Sequence, residues 1–268
     1  MRAPLVSVLM GIYYRRMDTA LLERSVCSVL EQSIEDLELL ICDDGSTRKS
    51  KQLLEQLAEE DGRIHLVRTG GLFSLSEKLN ACLSRAQGTF IARMDDDDFS
   101  CPDRLAKEIA VLAAYPEIGF VGCNVALSCD GATVGTRILP ERPMVRDFFL
   151  TQPYIHPTLV FRREALLEVG GYSESRQCLF CEDYDLLLRL YAKGYQGMNL
   201  QENLLIYTIP ATAKGTRKMR HRWNETVTRY HRYKELKVLP RALPYVVKPL
   251  IVGLLPEPVL QRIKEKYR

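Results

Sequence analysis

The chain has 268 residues, 46% of them hydrophobic, which supports one large α/β domain or such a domain with an appendage and excludes disordered and fibrous classes. A net charge of +3 hides an asymmetry: Lys214 onward carries 15 basic and 4 acidic side chains, leaving 22 basic against 30 acidic before it. An acidic body therefore precedes a basic tail.

Val6 to Met10 is a short β-rich apolar run, and Leu22, Val26, Val29, Leu30 and Ser33 then recur on one helical stripe. A second apolar run, Leu37 to Cys42, ends in Asp43-Asp44-Gly45-Ser46, and Leu53, Leu54 and Leu57 mark the next helix. Ile64 to Val67 is a third strand. Ser74 and Glu77 have the spacing of a capping box, opening a helix expected to bury Leu75, Leu79, Cys82, Leu83 and Ala86. Thr89 to Met94 is a fourth strand that delivers Asp95-Asp96-Asp97-Asp98, and Pro102 suits the first turn of a helix carrying Leu105, Ile109 and Leu112. This strand and helix rhythm predicts a parallel, doubly wound sheet over residues 1–117. Ile118 to Cys129 and Val134 to Ile138 then flank a hairpin turn, Asp130-Gly131, so mixed or antiparallel sheet is expected there. Helices are expected around Arg162 to Val169 and Asp183 to Lys193, with Gly194 after the latter.

Eight scattered cysteines with no secretory signal before the first apolar segment point to a reducing, cytosolic compartment. Cys178 and Cys181 form one CxxC without a second ligand pair, so the spacing is read as coincidence and not as zinc binding. No stretch reaches the roughly 18 apolar residues of a membrane span. Tyr245 to Leu255 is broken by Lys248, Pro249 and Gly253, and is expected to rest on a membrane or pack on the core.

The four consecutive aspartates are the strongest chemical signal. Unit charges about 4 Å apart repel by roughly 1 kcal/mol in water and roughly 4 kcal/mol near a protein surface, so the run asks for a cation. Hard oxygen ligands at a strand end suit Mg²⁺ or Mn²⁺. A Ca²⁺ loop of the EF-hand type fails, since Ser100 and Ala106 stand where Gly and Glu are needed. A phosphotransferase with an aspartyl nucleophile is weakened because Cys42 precedes Asp44-Gly45, and a solvated acidic turn is the plain alternative. Asp43 and Asp44 read either as ligand acceptors at a strand end or as an Asx turn. Tyr13 and Tyr14 follow the first strand at the same edge, where a ring can stack on a base. Glu182 and Asp183 open a helix, where they either favour its dipole or supply a general base; His156 is read as structural or as a wall of that site.

Taken in order, Val6 to Met10, Ser25 to Gln32, Asp43 to Thr47, Lys78-Leu79-Asn80, Ala92 to Asp98 with Pro102 and Arg104-Leu105, His156-Pro157-Thr158, Gly170-Gly171-Tyr172 and Glu182 to Leu186 resemble family 2 of the inverting glycosyltransferases, from residue 5 to about residue 207. The resemblance implies an α/β GT-A fold: a Rossmann-like, mostly parallel sheet with helices on both faces, a smaller antiparallel acceptor-side portion and a helical basic tail. It implies a domain over 1–213, with a donor half at 1–117 and an acceptor half at 118–213, and an extension over 214–268. Tyr13 resembles the aromatic that stacks on uracil, and Asp44 the carboxylate that bonds base or ribose. Asp95 and Asp97 match the DXD motif, with Asp97 expected on the metal, Mn²⁺ or Mg²⁺, and Asp95 nearer the ribose. Gly11, Asp43, Lys78, Asn80, Arg93 and Asp96 complete the expected donor side. Asp183 matches the catalytic base, with Glu182 and His156 on the acceptor side.

The chain departs from the family pattern at Gly11, where proline is usual, and at Tyr14, where asparagine is usual. The processive Gln/Arg-x-x-Arg-Trp motif is broken by Met219 ahead of Arg222-Trp223, so a single sugar is expected to move, from a nucleotide-diphosphate donor, UDP-linked by preference, to a glycan or lipid-linked glycan in cell-surface polysaccharide synthesis. Lys214 to Lys237 carries 9 basic residues against 2 Glu among Trp223, Tyr230 and Tyr233. The acidic body argues against nucleic acid, and for 214–268 an anionic membrane surface, at the inner face, is the partner preferred, with an ordinary basic helix packed on the acidic body as the open alternative. Rival readings are a non-catalytic nucleotide-sugar-binding protein of the same fold and a metal-dependent nucleotidyl or phosphoryl transferase.

Overall fold

The computed structural model describes residues 3–14, 16, 18–71, 74–209 and 218–255. Its first strand, β1 (Val6–Ile12), turns Val6, Val8, Met10 and Ile12 to one apolar core and Leu9 to the other. β2 (Leu37–Asp43) does the same with Leu39 and Ile41 against Leu40 and Cys42. A strand buried on both faces needs helices on both sides, which is the logic of a parallel sheet. Helix α1 (Ala20–Leu30) joins β1 to β2, and α2 (Arg48–Glu60) joins β2 to β3 (Ile64–Val67). Helix α3 (Leu75–Leu83) then crosses to the opposite face and returns the chain beside β1 as β4 (Phe90–Arg93). Its capping box forms: Ser74 Oγ accepts from Glu77 N at 3.2 Å, and Glu77 Oε2 accepts from Ser74 N at 2.9 Å.

The sheet order β3-β2-β1-β4 is parallel and reverses direction of growth at β1, the switch point at which α/β sheets bind ligands. Beyond β4 the sheet is mixed. After the two-residue β5 (Phe99–Ser100) come α4 (Arg104–Ala114), β6 (Ile118–Cys129) and β7 (Ala132–Arg137). Asp130 and Gly131, at φ 49° and 82°, make the expected tight hairpin, and β7 is exposed throughout. β8 (Val160–Arg162) runs antiparallel between β4 and β6, and β9 (Gln196–Thr208) runs parallel to β6. Helices α5 (Arg163–Glu168), α6 (Glu182–Ala192), α7 (Met219–Glu235) and α8 (Leu239–Leu254) complete the described chain.

Several expectations are corrected. Pro102 lies in the turn ahead of α4, whose N-cap is Asp103, because the preceding β5 holds the chain extended up to Ser100. Strands β5, β8 and β9 carry too little periodicity to be seen: two are two or three residues long, and β9 bears an exposed polar break at Gln201-Glu202-Asn203. Helix α1 stops at Leu30, short of Ser33, and Leu75 is only half-buried. The basic segment folds back on the body as α7 and α8, with Tyr233 and Arg229 buried; residues 214–217 and 256–268 lie outside the described residues.

Glu108 of α4 is buried against β6, and neither carboxylate oxygen has a hydrogen-bond partner among the described residues. Burial pushes it up to about 8, against the pull of the Arg104 charge and the Cys123 thiol. A folded-state value above the unfolded one gives a contribution that is complete below about 4.5 and is lost as pH rises through 8. Glu108→Gln should therefore gain stability relative to the parent chain as pH goes from 5 to 8, measured by urea denaturation at each pH; parallel pH profiles would refute the neutral carboxyl.

Candidate functional site

The carboxyl ends of β1, β2 and β4 meet at one edge. There β1 hands on to Tyr13, 57% exposed, while Tyr14 turns inward and donates through its hydroxyl to Asp18 O at 3.0 Å. In β1, Gly11 lies under α3: a Cβ there would stand 2.9 Å from Leu75 Cδ1 and 3.2 Å from Lys78 Cβ. That close approach carries the buried Lys78 ammonium to the edge, where it donates to Ile12 O and to Asp44 O and sits 5.2 Å from the Tyr13 ring centre. Lys78 thus ties the ends of β1 and β2 together beneath Tyr13. Asp43 accepts from Ser46 N at 3.3 Å, the Asx turn. Asp44 accepts from the Thr69 hydroxyl, its Oδ2 2.5 Å away.

The acidic run follows β4. Arg93, 1% exposed, donates to Asp95. Burial works against its charge, but Asp95, Tyr172 and Asp96 hold it on. Asp95 O also accepts from Ser25 Oγ at 2.6 Å. Asp97 faces Arg16 at 3.9 Å, and its carbonyl accepts from the Thr208 hydroxyl. Asp98 is wholly buried: Oδ1 takes the Thr208 N–H at 2.7 Å and Oδ2 has no partner among the described residues. Desolvation first, then the neighbouring carboxylates, pushes Asp96 up to about 7 and Asp98 up to about 8, and raises Asp97. Such a set favours a cation. Among the described residues no three His, Cys, Asp or Glu side chains converge as a closed metal cage. Asp95 and Asp97, partly exposed, fit instead a site in which the protein supplies one or two carboxylates and a phosphorylated ligand the rest, as Mg²⁺ and Mn²⁺ sites do.

Across the edge stands the second half. Asp183, on the first turn of α6, has Oδ2 2.8 Å from Gln152 Nε2. Burial and the charge of Asp183 push its neighbour Glu182 up to about 7, while the backbone N–H groups of Glu182 and Phe180 bond it. His156 opens a 3-10 turn and meets the Tyr172 hydroxyl through Nε2 at 2.9 Å. Burial, with Arg93, holds this imidazole well below its usual range, so it is neutral. Tyr172 is raised by burial and, more weakly, by Asp183, Glu182 and Asp95 together, which places its phenol between the two halves.

Gly170 and Gly171, at φ 75° and 68°, make the turn that delivers Tyr172. Asn80, expected on the donor side, braces that turn: it donates to Tyr172 O at 2.8 Å and Glu174 Oε1 at 2.7 Å, and accepts from Tyr172 N at 2.9 Å. The structure thus brings together Tyr13, Asp44, Lys78, Arg93 and Asp95 at the edge formed by β1, β2 and β4, and His156, Glu182 and Asp183 in the second half; Gly11, Asp43 and Asn80 act through packing and turns. Gln152, Thr208 and Arg16 escaped sequence reasoning. Tyr172 was visible only through its paired glycines.

Helix α7 buttresses the α6 start. Asp185, 1% exposed, accepts from Arg189 Nε and Arg232 Nε, each at 2.8 Å. The Tyr184 hydroxyl meets Tyr233 and donates to Phe148 O, with the Arg229 guanidinium 4.6 Å from the Tyr184 ring centre.

A family model described as Glycosyl transferase family 2 matches residues 7–170. EpsE of Bacillus subtilis (strain 168), which carries a glycosyltransferase name, is 34% identical over 98% of this chain and 94% of its own. The amylovoran biosynthesis glycosyltransferase AmsE of Erwinia amylovora is 26% identical over 98% of both. Two solved structures share the fold. The mannosyltransferase PcManGT from Pyrobaculum calidifontis, in complex with GDP-Man and Mn²⁺, has a TM-score of 0.65 at 19% identity, covering 99% of this chain and 80% of that one. S. aureus TarS in complex with UDP-GlcNAc has a TM-score of 0.69 at 15% identity, covering 91% and 72%.

Removing Asp185 would take away the buried carboxylate shared by two guanidinium groups, leaving Arg189 the Val169 and Gly171 carbonyls and Arg232 the exposed Glu235. Asp185→Ala should cost about 3–5 kcal/mol in urea denaturation. A loss below about 1 kcal/mol, the scale of an exposed pair, would show that solvent already screens the junction.

Proposed function

Since the chain belongs to glycosyl transferase family 2, it is a glycosyltransferase, and we propose that it moves a single sugar with inversion from a nucleotide-diphosphate sugar, UDP-linked by preference, to a hydroxyl of a glycan or lipid-linked glycan in polysaccharide synthesis. The observation that carries this reading is the facing of two carboxylate sets across Arg93 and Tyr172: Asp95 to Asp97 at the switch point, Glu182 and Asp183 on α6. GDP-Man, UDP-GlcNAc and the amylovoran assignment belong to the similar proteins, and support the donor and product classes.

The Tyr13 ring stacks on the base, and Asp44 accepts a hydrogen bond from base or ribose. Asp97 and Asp95 would hold Mn²⁺ or Mg²⁺, which when bound offsets the diphosphate charge that grows as the sugar leaves. Asp183 takes the proton of the acceptor hydroxyl while that oxygen attacks the anomeric carbon from the face opposite the diphosphate. Gln152 fixes the orientation of Asp183, and Glu182, with its raised affinity for a proton, leaves the base role to its neighbour. His156 stays neutral and positions Tyr172. Asp183→Asn should lower transfer about a thousandfold while nucleotide-sugar binding, followed by thermal stabilisation with Mn²⁺, is retained. Undiminished transfer would remove Asp183 as base. A parent chain that binds nucleotide sugars but never transfers would favour a non-catalytic role.

The partner of α7 and α8 is proposed to be an anionic membrane surface. No helix among the described residues is long and apolar enough to cross a membrane. On α8, however, Leu243, Val247, Ile251 and Leu254 are exposed at spacings of three and four, which gathers them on one face. Basic side chains of α7 flank Trp223, itself 58% exposed. Basic residues attract anionic lipid and the apolar row inserts shallowly. Leu243→Glu with Ile251→Glu should weaken binding to phosphatidylglycerol vesicles about tenfold, or about 1.4 kcal/mol; unchanged binding in a flotation assay would reject the row as the inserting face.

A further inference from the structure

Phe180 is the one bulky aromatic residue at positive φ among the described residues, at 68°. Residues with a Cβ are strained there, and a glycine would carry this turn without penalty. The strain is not repaid by burial, since the side chain is 56% exposed. Nor is the loop loosely held. Asn224 donates to Arg176 O at 3.0 Å and Leu179 O at 3.4 Å, Thr228 donates to Gln177 O at 3.2 Å, and the Cys181 thiol lies 3.4 Å from the Thr228 hydroxyl. The CxxC thus serves as part of the clamp that fastens this loop to α7. Within it the Phe180 ring stacks on the His221 imidazole, with centres 3.9 Å apart and planes at 26°. Glu182 and Asp183 follow Phe180 after Cys181, on the first turn of α6.

A rigid loop therefore spends backbone strain to hold an exposed aromatic ring at the residue two positions ahead of Glu182 and three ahead of Asp183, and strain kept at an exposed ring points to a ligand. That ligand has an apolar face to lie on the ring and hydroxyls to meet the carboxyls. A pyranose has both; a phosphate or nucleobase phosphate would be repelled by Glu182 and Asp183. We propose that Phe180, backed by His221, is the stacking platform for the terminal pyranose of the acceptor. The proposal rests on the transferase reading and deepens it by naming the residue that receives the acceptor's terminal sugar.

Saturation-transfer NMR with methyl β-glucoside, β-galactoside and β-N-acetylglucosaminide as probes, in the presence of UDP and Mn²⁺, tests it. At least one pyranoside should receive saturation from the parent protein, with the signal falling fivefold or more in Phe180→Ala and restored in Phe180→Tyr. Phe180→Gly should melt at or above the parent temperature while losing the same signal, which a merely structural ring would not do. UDP should still stabilise each variant against heat, as the donor half is untouched. Saturation that survives in Phe180→Ala, absence of any signal from the parent chain, or a marked fall in melting temperature of Phe180→Gly would overturn the platform and leave the transferase reading standing. A parent chain that neither binds nor turns over any nucleotide sugar would overturn both.

Discussion

A buried guanidinium, that of Arg93, is what allows carboxylates to gather both after β4 and at the start of α6. Asp95 and Asp96 hold its charge against burial, and Arg93 in turn opposes the rise of Asp96, Asp97, Asp98 and Glu182. It also keeps His156 neutral. Its place is secured by the sheet, since β4 lies between β1 and β8 and Arg93 N donates to Leu159 O at 2.8 Å. Below it a second buried arginine, Arg104, donates to Ser100 Oγ at 2.8 Å and to Pro157 O at 2.8 Å, stitching the segments on either side of the acidic run. A buried cation with no carboxylate would be costly, and four clustered carboxylates with no cation equally so; each makes the other tolerable.

The same economy governs the start of α6. In Glu182-Asp183-Tyr184-Asp185 the first two side chains are half-exposed, and the next two are buried. Tyr184 and Asp185 are gripped by α7 through Tyr233, Arg229 and Arg232, so the basic segment neutralises a buried carboxylate two residues on from the half-exposed Asp183. The charge asymmetry of the chain is thus partly internal. Basic side chains of α7 are used within the fold, and those left outside lie beside the exposed apolar row of α8.

What could be read from the sequence follows from where the signal is local. Val6–Ile12 and Leu37–Asp43 are apolar on both faces because both faces are covered, and Ser74 with Glu77 announces its helix by a contact three residues long. β9 hides because Gln201, Glu202 and Asn203 interrupt its apolar set where its register against β6 shifts. At the site, the acidic run and Asp183 have spacing that chemistry can interpret. Gln152 and Thr208 reach Asp183 and Asp98 across 31 and 110 residues, and no local pattern encodes such a meeting. Asn80 was visible as a polar residue on a helix, but whether it faced a ligand or a turn depended on the positive φ of Gly170 and Gly171.

These long-range meetings also explain why the two halves differ in character. The switch-point side gathers carboxylates that burial and one another's charge turn toward the protonated form, with the Lys78 ammonium bonded to backbone carbonyls at the same edge. The α6 side gathers neutral partners around Asp183 and Glu182: the His156 imidazole, the Tyr172 phenol and the Gln152 amide. Arg93, shared by both and exposed to neither, sets the boundary between them.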